Sequence, residues 1–176
     1  MSTFNKQALS FRMNDNPVMS YWVRYLPEGA SQTFVAHAPV VLASGLVVQA
    51  ANPATAVLGF AVRAGQNTTA GLVNSEILPA VDGMSIFGNL LTTAAATRNF
   101  LAADVGTAFD LALSTTLLGA SRPGWYFSAA GTTSVRVVSR HGDQFPPNVV
   151  NNTFVAVGDT DPRVEAVVLH AVRTWL

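Results

Sequence analysis

Cysteine is absent from this 176-residue chain, which excludes a disulfide framework, a thiolate zinc site and a cysteine nucleophile. Charge is scarce as well: 11% of the residues are charged, against roughly 25% in an average soluble domain. The 10 basic and 10 acidic residues cancel, and Lys6 is the one lysine among them. A balanced charge without a basic cluster argues against nucleic acid as a partner. No apolar run is long enough to span a bilayer; residues 164–172, the best candidate, are interrupted by Glu165 and His170. The first residues do not combine a basic segment, an apolar run and a small-residue cleavage site, so neither a signal peptide nor a membrane partner is expected. Walker, GxGxxG and GxSxG patterns are missing too.

So little charge leaves little repulsion to keep copies apart. Arginine in place of lysine suits covered surfaces better than solvated ones. The composition therefore predicts a chain that associates, with much of its surface against partners. The length is that of one domain able to bury a core without disulfides or metal, and no cofactor is implied.

Residues 54–91 carry the plainest fold signal. Residues 57–62 are too apolar and β-branched for a loop, and Gly59 argues against a helix. Residues 66–71 are small and polar, which is turn chemistry. Residues 84–91 alternate, with Met84, Ile86 and Leu90 on one face and Ser85, Phe87 and Asn89 on the other. Upstream, residues 1–17 read as an arm rather than as part of a domain. The aromatic-rich segment that follows, ending at Pro27-Glu28-Gly29, reads either as a strand or as an interface loop. Short strands are expected at 33–36, 39–42 and 46–49, the last two joined by a Ser44-Gly45 turn. Downstream, residues 98–104 suggest one helical turn, closed by Val105-Gly106. Strands are expected at 110–114, with Leu111 and Leu113 inward, at 125–127, 134–139 and 153–157, and in a largely apolar central strand at 164–172. Residues 140–152 form a long loop. About ten short strands with one helical turn predict an all-β fold, a single β-barrel or β-tulip or a sandwich, with an extended N-terminal arm. The division expected is residues 1–31 as arm and aromatic segment and residues 32–176 as the β domain.

Candidates for chemistry are thin. His37, His141 and His170 have no metal-ligand spacing, and His141 near Asp143 has no nucleophile assigned to it. Asp159, Asp161 and Glu165 lack the further ligands and mid-loop glycine of a calcium loop, so an Asx turn is the simpler reading. Asn67-Thr68-Thr69 and Asn151-Asn152-Thr153 match a glycosylation sequon by sequence alone. No catalytic, cofactor or metal residue is predicted, and the chain is not read as an enzyme.

The order of the pieces from Phe34 onward resembles the small decoration proteins, also called cement or head-stabilising proteins, of tailed bacteriophages. The pieces are Leu58-Gly59-Phe60-Ala61-Val62, a Gly-rich turn and strand closed by Ile77-Leu78-Pro79, and the strand 84–91 around Phe87. Next come the turn Asp104-Val105-Gly106-Thr107-Ala108, the aromatic opening Gly124-Trp125-Tyr126, the β-branched strand 134–138, and a 159–161 turn into 163–169. The resemblance covers roughly three quarters of the chain and departs at residues 1–29 and 140–152. It implies a virion protein on the outer capsid surface, a homotrimer that clamps the major capsid protein of an expanded head. Its mechanism would be mechanical, with many weak contacts adding up.

On that reading Phe4, Leu9, Phe11 and Met13 of the arm contact the capsid, and Tyr21, Trp22, Tyr25 and Trp175 line the subunit interface. The arm is expected to be dispensable for folding. Two other readings are a carbohydrate-binding β module, with Trp22, Trp125 and Trp175 as stacking platforms, and another virion part such as a head-completion or tail component.

Overall fold

The structure, a computed structural model, describes residues 6, 9–11, 23–80, 84–93, 98–128, 135–140, 160 and 163–168. Among them the chain is all-β. The strands are β1 (Ser10–Phe11), β2 (Arg24–Pro27), β3 (Pro39–Ala43), β4 (Leu46–Gln49), β5 (Gly59–Ala61) and β6 (Asn74–Pro79). They continue with β7 (Ser85–Leu91), β8 (Ala108–Ser114), β9 (Gly124–Ser128), β10 (Val135–Arg140) and β11 (Arg163–Val168). The expected helical turn is a 3-10 turn at Ala102–Asp104. A five-stranded sheet has the order β2-β6-β5-β3-β4, and a six-stranded sheet the order β1-β7-β11-β10-β8-β9. The fold is therefore a two-sheet sandwich rather than one closed barrel. Val40, Val47, Phe60 and Ile77 of one sheet share a continuous core with Ile86, Leu90, Phe109, Leu111, Trp125 and Phe127 of the other.

Local chemistry accounts for several elements. The β3–β4 hairpin turns through Ser44 and Gly45, both at positive φ (51° and 79°). That is the backbone of a two-residue type I′ turn, whose twist matches the strands it joins. At Gly59 an added Cβ would lie 2.5 Å from the Leu78 carbonyl oxygen of β6, so the β5–β6 approach requires glycine there. The expected strand over 33–36 is instead an irregular extended segment, bounded by Ser31 and His37 at positive φ (54° and 66°). Its backbone pairs with the following turn, through Gly65 N–H to the Phe34 carbonyl and Asn67 N–H to the Gln32 carbonyl. Left-handed residues at both ends are what stop it joining a regular ladder.

β7 is the most enclosed strand. On one edge it pairs with β11 from Ser85 to Asn89. On its other edge β1 pairs at Ile86 and Phe87, and β9 runs parallel to it at Leu90 and Leu91. The alternation in its sequence predicts one inward face, yet residues 86–91 are buried on both. At Leu91 the second cover comes from the loop after β8: Leu117 packs with Leu91, Ala112 and Tyr126 in a small outer core. At the junction of β1 and β9, a Cβ on Gly88 would lie 2.7 Å from Leu9 Cδ2 and 2.9 Å from the Phe127 ring. The central placement expected of the last strand holds, since β11 lies between β7 and β10.

Side chains and backbone staple the two sheets together. The Asn52 amide accepts from Leu113 N–H at 2.9 Å and donates to the Leu113 carbonyl at 3.2 Å, mimicking a ladder pair on β8. Ala54 N–H donates to the Leu111 carbonyl at 2.8 Å. His37 Nδ1 lies 2.7 Å from the Leu9 carbonyl oxygen; a carbonyl only accepts, so Nδ1 carries the proton.

Of the expected arm, residues 9–11 are described, and they join the fold. Leu9 is 2% exposed within the shared core, β1 is hydrogen-bonded to β7, and β2, from the aromatic segment, pairs with β6 along its length. Strands from both sides of residue 31 thus pair with one another, and the burial of Leu9 bears directly on the expectation that residues 1–16 are dispensable for folding. Among the described residues, β1 is what pairs with β7 along this half of its edge. Leu9→Ala should accordingly destabilise the protein by about 3 kcal/mol, the usual range for a buried leucine, as read from urea unfolding; a change below about 0.5 kcal/mol, typical of surface positions, would return Leu9 to the status of an arm residue.

Candidate functional site

Among the described residues, polar or apolar groups come together outside the core at several places. The first lies beside β2 and the turn after β5. Glu28, at the end of β2, is 1% exposed, and its backbone bridges to Val47 of β4. Its Oε1 accepts from Gln66 N–H at 2.7 Å and its Oε2 from the Ser75 hydroxyl at 2.6 Å. Its main chain donates to Val73 and accepts from Gly71. One carboxylate thereby fixes the 66–71 turn against β6 and the rim of β4. Both of its side-chain partners are neutral, and no cation pairs with it among the described residues.

Tyr25, Glu28, Arg63, Gln66, Asn74, Ser75 and Glu76 line a pocket of about 130 Å³ at this place. The register Tyr25–Glu76 and Pro27–Asn74 puts Tyr25, Asn74 and Glu76 on one face of the sheet. Tyr25 is 67% exposed. Arg63 Nε reaches Glu76 Oε2 at 3.2 Å, with the Arg63 side chain 83% exposed, so this ion pair is a weak tether.

The second feature is the tip around the 3-10 turn. Leu101 and Val105 are exposed large apolar residues, and Ala102 and Ala103 between them are exposed as well. The tip is held from below by Asp104, whose two carboxylate oxygens take Arg98 Nη2 at 2.6 Å and Nη1 at 2.9 Å. Asp104 Oδ2 also accepts from Leu101 N–H at 2.8 Å, and the Arg98 guanidinium lies 5.7 Å from the centre of the Phe109 ring. A bidentate, largely buried arginine–carboxylate pair is directional, so it fixes the backbone that presents Leu101 and Val105.

Of the residues expected to make contacts, Phe4, Met13, Tyr21, Trp22 and Trp175 lie outside the described residues. Leu9 is taken up by the chain's own core, so it does not reach a neighbour from an extended arm; the backbone of Phe11 pairs with Ile86 of β7. Tyr25 is at the surface, but its neighbours are the polar pocket residues. Trp125 is 2% exposed, which removes it as a sugar-stacking platform; among the described residues its indole N–H has no hydrogen-bond partner. Neither Glu28 nor the Arg98–Asp104 pair was marked by the sequence, because Pro27-Glu28-Gly29 reads as an exposed turn and the carboxylate's partners come from residues 66 and 75. Among the described residues no group of histidine and carboxylate side chains is arranged to hold a metal ion.

Removing Arg98 would strand a buried carboxylate. Arg98→Ala should therefore destabilise by about 3 kcal/mol, and Arg98→Lys should recover less than half of that, because an ammonium cannot make the two parallel bonds. Equal stability of the lysine variant and the parent in urea unfolding would show that the bidentate geometry contributes nothing.

No protein-family model matches the chain, and neither a curated protein nor a solved structure shows significant similarity to it.

Proposed function

We propose that this protein is structural: a decoration, or cement, protein that binds the outer surface of a tailed-phage head and joins neighbouring major capsid subunits, as a homotrimer. The observation that carries the reading is the apolar tip at 101–105, exposed yet fixed by a buried bidentate ion pair. An exposed leucine, valine and two alanines on a mobile loop would lose ordering entropy on binding; on a rigid mount that loss has been met during folding. The low charge of the chain works in the same direction, because little desolvation of charged groups accompanies contact. Repeated over a lattice, such a weak apolar contact adds up through multivalency.

The mechanism is mechanical. Each copy lays its tip against a capsid subunit while like copies hold one another across the joint, so separating two capsid subunits would require breaking several small contacts together. Leu9 and β1 serve the internal packing in this account, and the shell-facing surface is drawn at the tip.

Leu101→Asp combined with Val105→Asp tests this, since both side chains are exposed and the core is untouched. The double variant should melt within a few degrees of the parent, as surface changes do, and should bind expanded heads stripped of their outer decoration at least about tenfold more weakly in cosedimentation. The parent should sediment as a trimer at equilibrium. A monomeric parent, or a double variant that occupies heads as fully as the parent does, would contradict the proposal.

A further inference from the structure

We infer that the groove between residues 35–37 and the start of β9 is a binding site for a small monocarboxylate with an apolar body, a function separate from shell binding. The groove has a volume of about 310 Å³, near the lower end of the range for small-molecule sites. Val35, Leu118 and Pro123, each half-buried, form walls that a ligand can reach. Leu9 and Trp125, each 2% exposed, close the groove from the core side. The Trp125 indole N–H is covered, so it offers the ligand no contact.

The rim selects the charge. Among the described residues no carboxylate lines this groove, whereas Glu28 and Glu76 line the pocket beside Tyr25. The cation at the mouth is Arg122, which is exposed and therefore within a ligand's reach. Arg63 pairs with Glu76 and Arg98 with Asp104, but among the described residues the Arg122 guanidinium has no carboxylate partner. Guanidinium is more weakly hydrated than ammonium, so pairing it beside apolar walls costs less. Those walls also exclude some water from the pair and strengthen it.

One positive charge beside apolar walls narrows the ligand to a monoanion. The planar guanidinium matches a carboxylate through two parallel hydrogen bonds. A phosphate monoester would bring a second negative charge that no described residue of the groove balances. An amine would meet Arg122 as a like charge, and a neutral apolar molecule would leave the guanidinium unused. A carboxylate without an apolar body would leave the walls uncovered. The loop that carries both features is fixed. Leu118 N–H donates to the Arg122 carbonyl and Arg122 N–H to the Gly119 carbonyl, both at 3.1 Å. A Cβ on Gly124 would lie 2.8 Å from Leu117 Cδ2 and 3.2 Å from Leu118 Cγ, so glycine lets this loop lie against β9. The Leu118 wall and the Arg122 backbone are thus in place before a ligand arrives, which lowers the ordering cost of binding.

The test uses the full chain labelled with ¹⁵N, titrated separately with hexanoate and benzoate. Hexanamide provides the neutral arm, hexylamine the cation arm, acetate the arm without an apolar body and hexyl phosphate the arm with a second charge. At least one of hexanoate and benzoate should shift the backbone amides of Val35, Arg122 and Gly124 saturably, with a Kd on the order of 1 mM. Each control compound should bind at least about tenfold more weakly. Arg122→Gln, at an exposed position, should leave the rest of the spectrum in place. It should weaken carboxylate binding about tenfold, or about 1.4 kcal/mol, and leave the response to hexanamide as it was. Three results would overturn the inference: neither carboxylate shifting those amides, a control compound binding as tightly as the better carboxylate, or undiminished carboxylate binding by Arg122→Gln. None of these bears on head binding, which the tip variants report.

Discussion

The enclosure of β7 is the constraint on which the rest of the structure depends. Its seven residues are hydrogen-bonded on one edge by β11, and on the other by β1 at one end and β9 at the other. Its inner face joins the core shared by both sheets, and Leu117 helps cover its outer face near Leu91. Gly88 is small because Leu9 and the Phe127 ring converge there; a side chain at that point would force apart the two strands that complete the edge. Because the pairing is non-local, forming this strand requires the N-terminal segment, the middle of the chain and the last described strand to assemble together. The Asn52–Leu113, Ala54–Leu111 and His37–Leu9 hydrogen bonds then tie the five-stranded sheet to it.

Such a scaffold presents its remaining features on fixed mounts. The Arg98–Asp104 pair fixes the apolar tip, and the Glu28 carboxylate fixes the 66–71 turn that borders the Tyr25 pocket. In both places an acidic side chain out of contact with bulk water holds a surface loop, one by a charged partner and one by neutral donors. The two mounts differ in what they offer: small aliphatic residues at the tip, and interleaved amides, carboxylates and a phenol ring at the pocket. The outer edge of β4 is closed as well, since Gly29 N–H donates to the Val47 carbonyl and the Gln32 side chain accepts from Gln49 N–H. That cover blunts an edge otherwise open to strand addition, so contact through side chains fits this molecule better than strand exchange at β4.

Much of the strand order could be read from residue patterns, because its determinants are local. Ser44-Gly45 announces a hairpin since both positions need positive φ, and Trp125-Tyr126-Phe127 and residues 163–168 are β-formers in runs of strand length. What could not be read depends on contacts far apart in sequence. The alternation of residues 84–91 predicts one buried face; on the second, Leu91 is covered because a loop some 26 positions downstream folds Leu117 onto it. Leu9 sits in a stretch that mixes polar and single apolar residues without a clean period, and it reads as an arm until β7's open edge is known. Glu28 lies in a Pro-Glu-Gly stretch with every sign of solvent exposure, and its burial follows from where Gln66 and Ser75 arrive. The tip was half legible: the helical turn is in the pattern, whereas the ion pair between residues six positions apart depends on how the chain bends between them.

Native-state hydrogen exchange across a denaturant series measures the central constraint most directly. The amides of residues 86–90 should exchange only through global unfolding, with an opening free energy that equals the equilibrium stability and falls with the same denaturant slope. The amides of the 66–71 turn should exchange through smaller openings. If residues 86–90 instead opened locally, at a free energy well below global stability and nearly independent of denaturant, β7 would not be the element that holds the two sheets together.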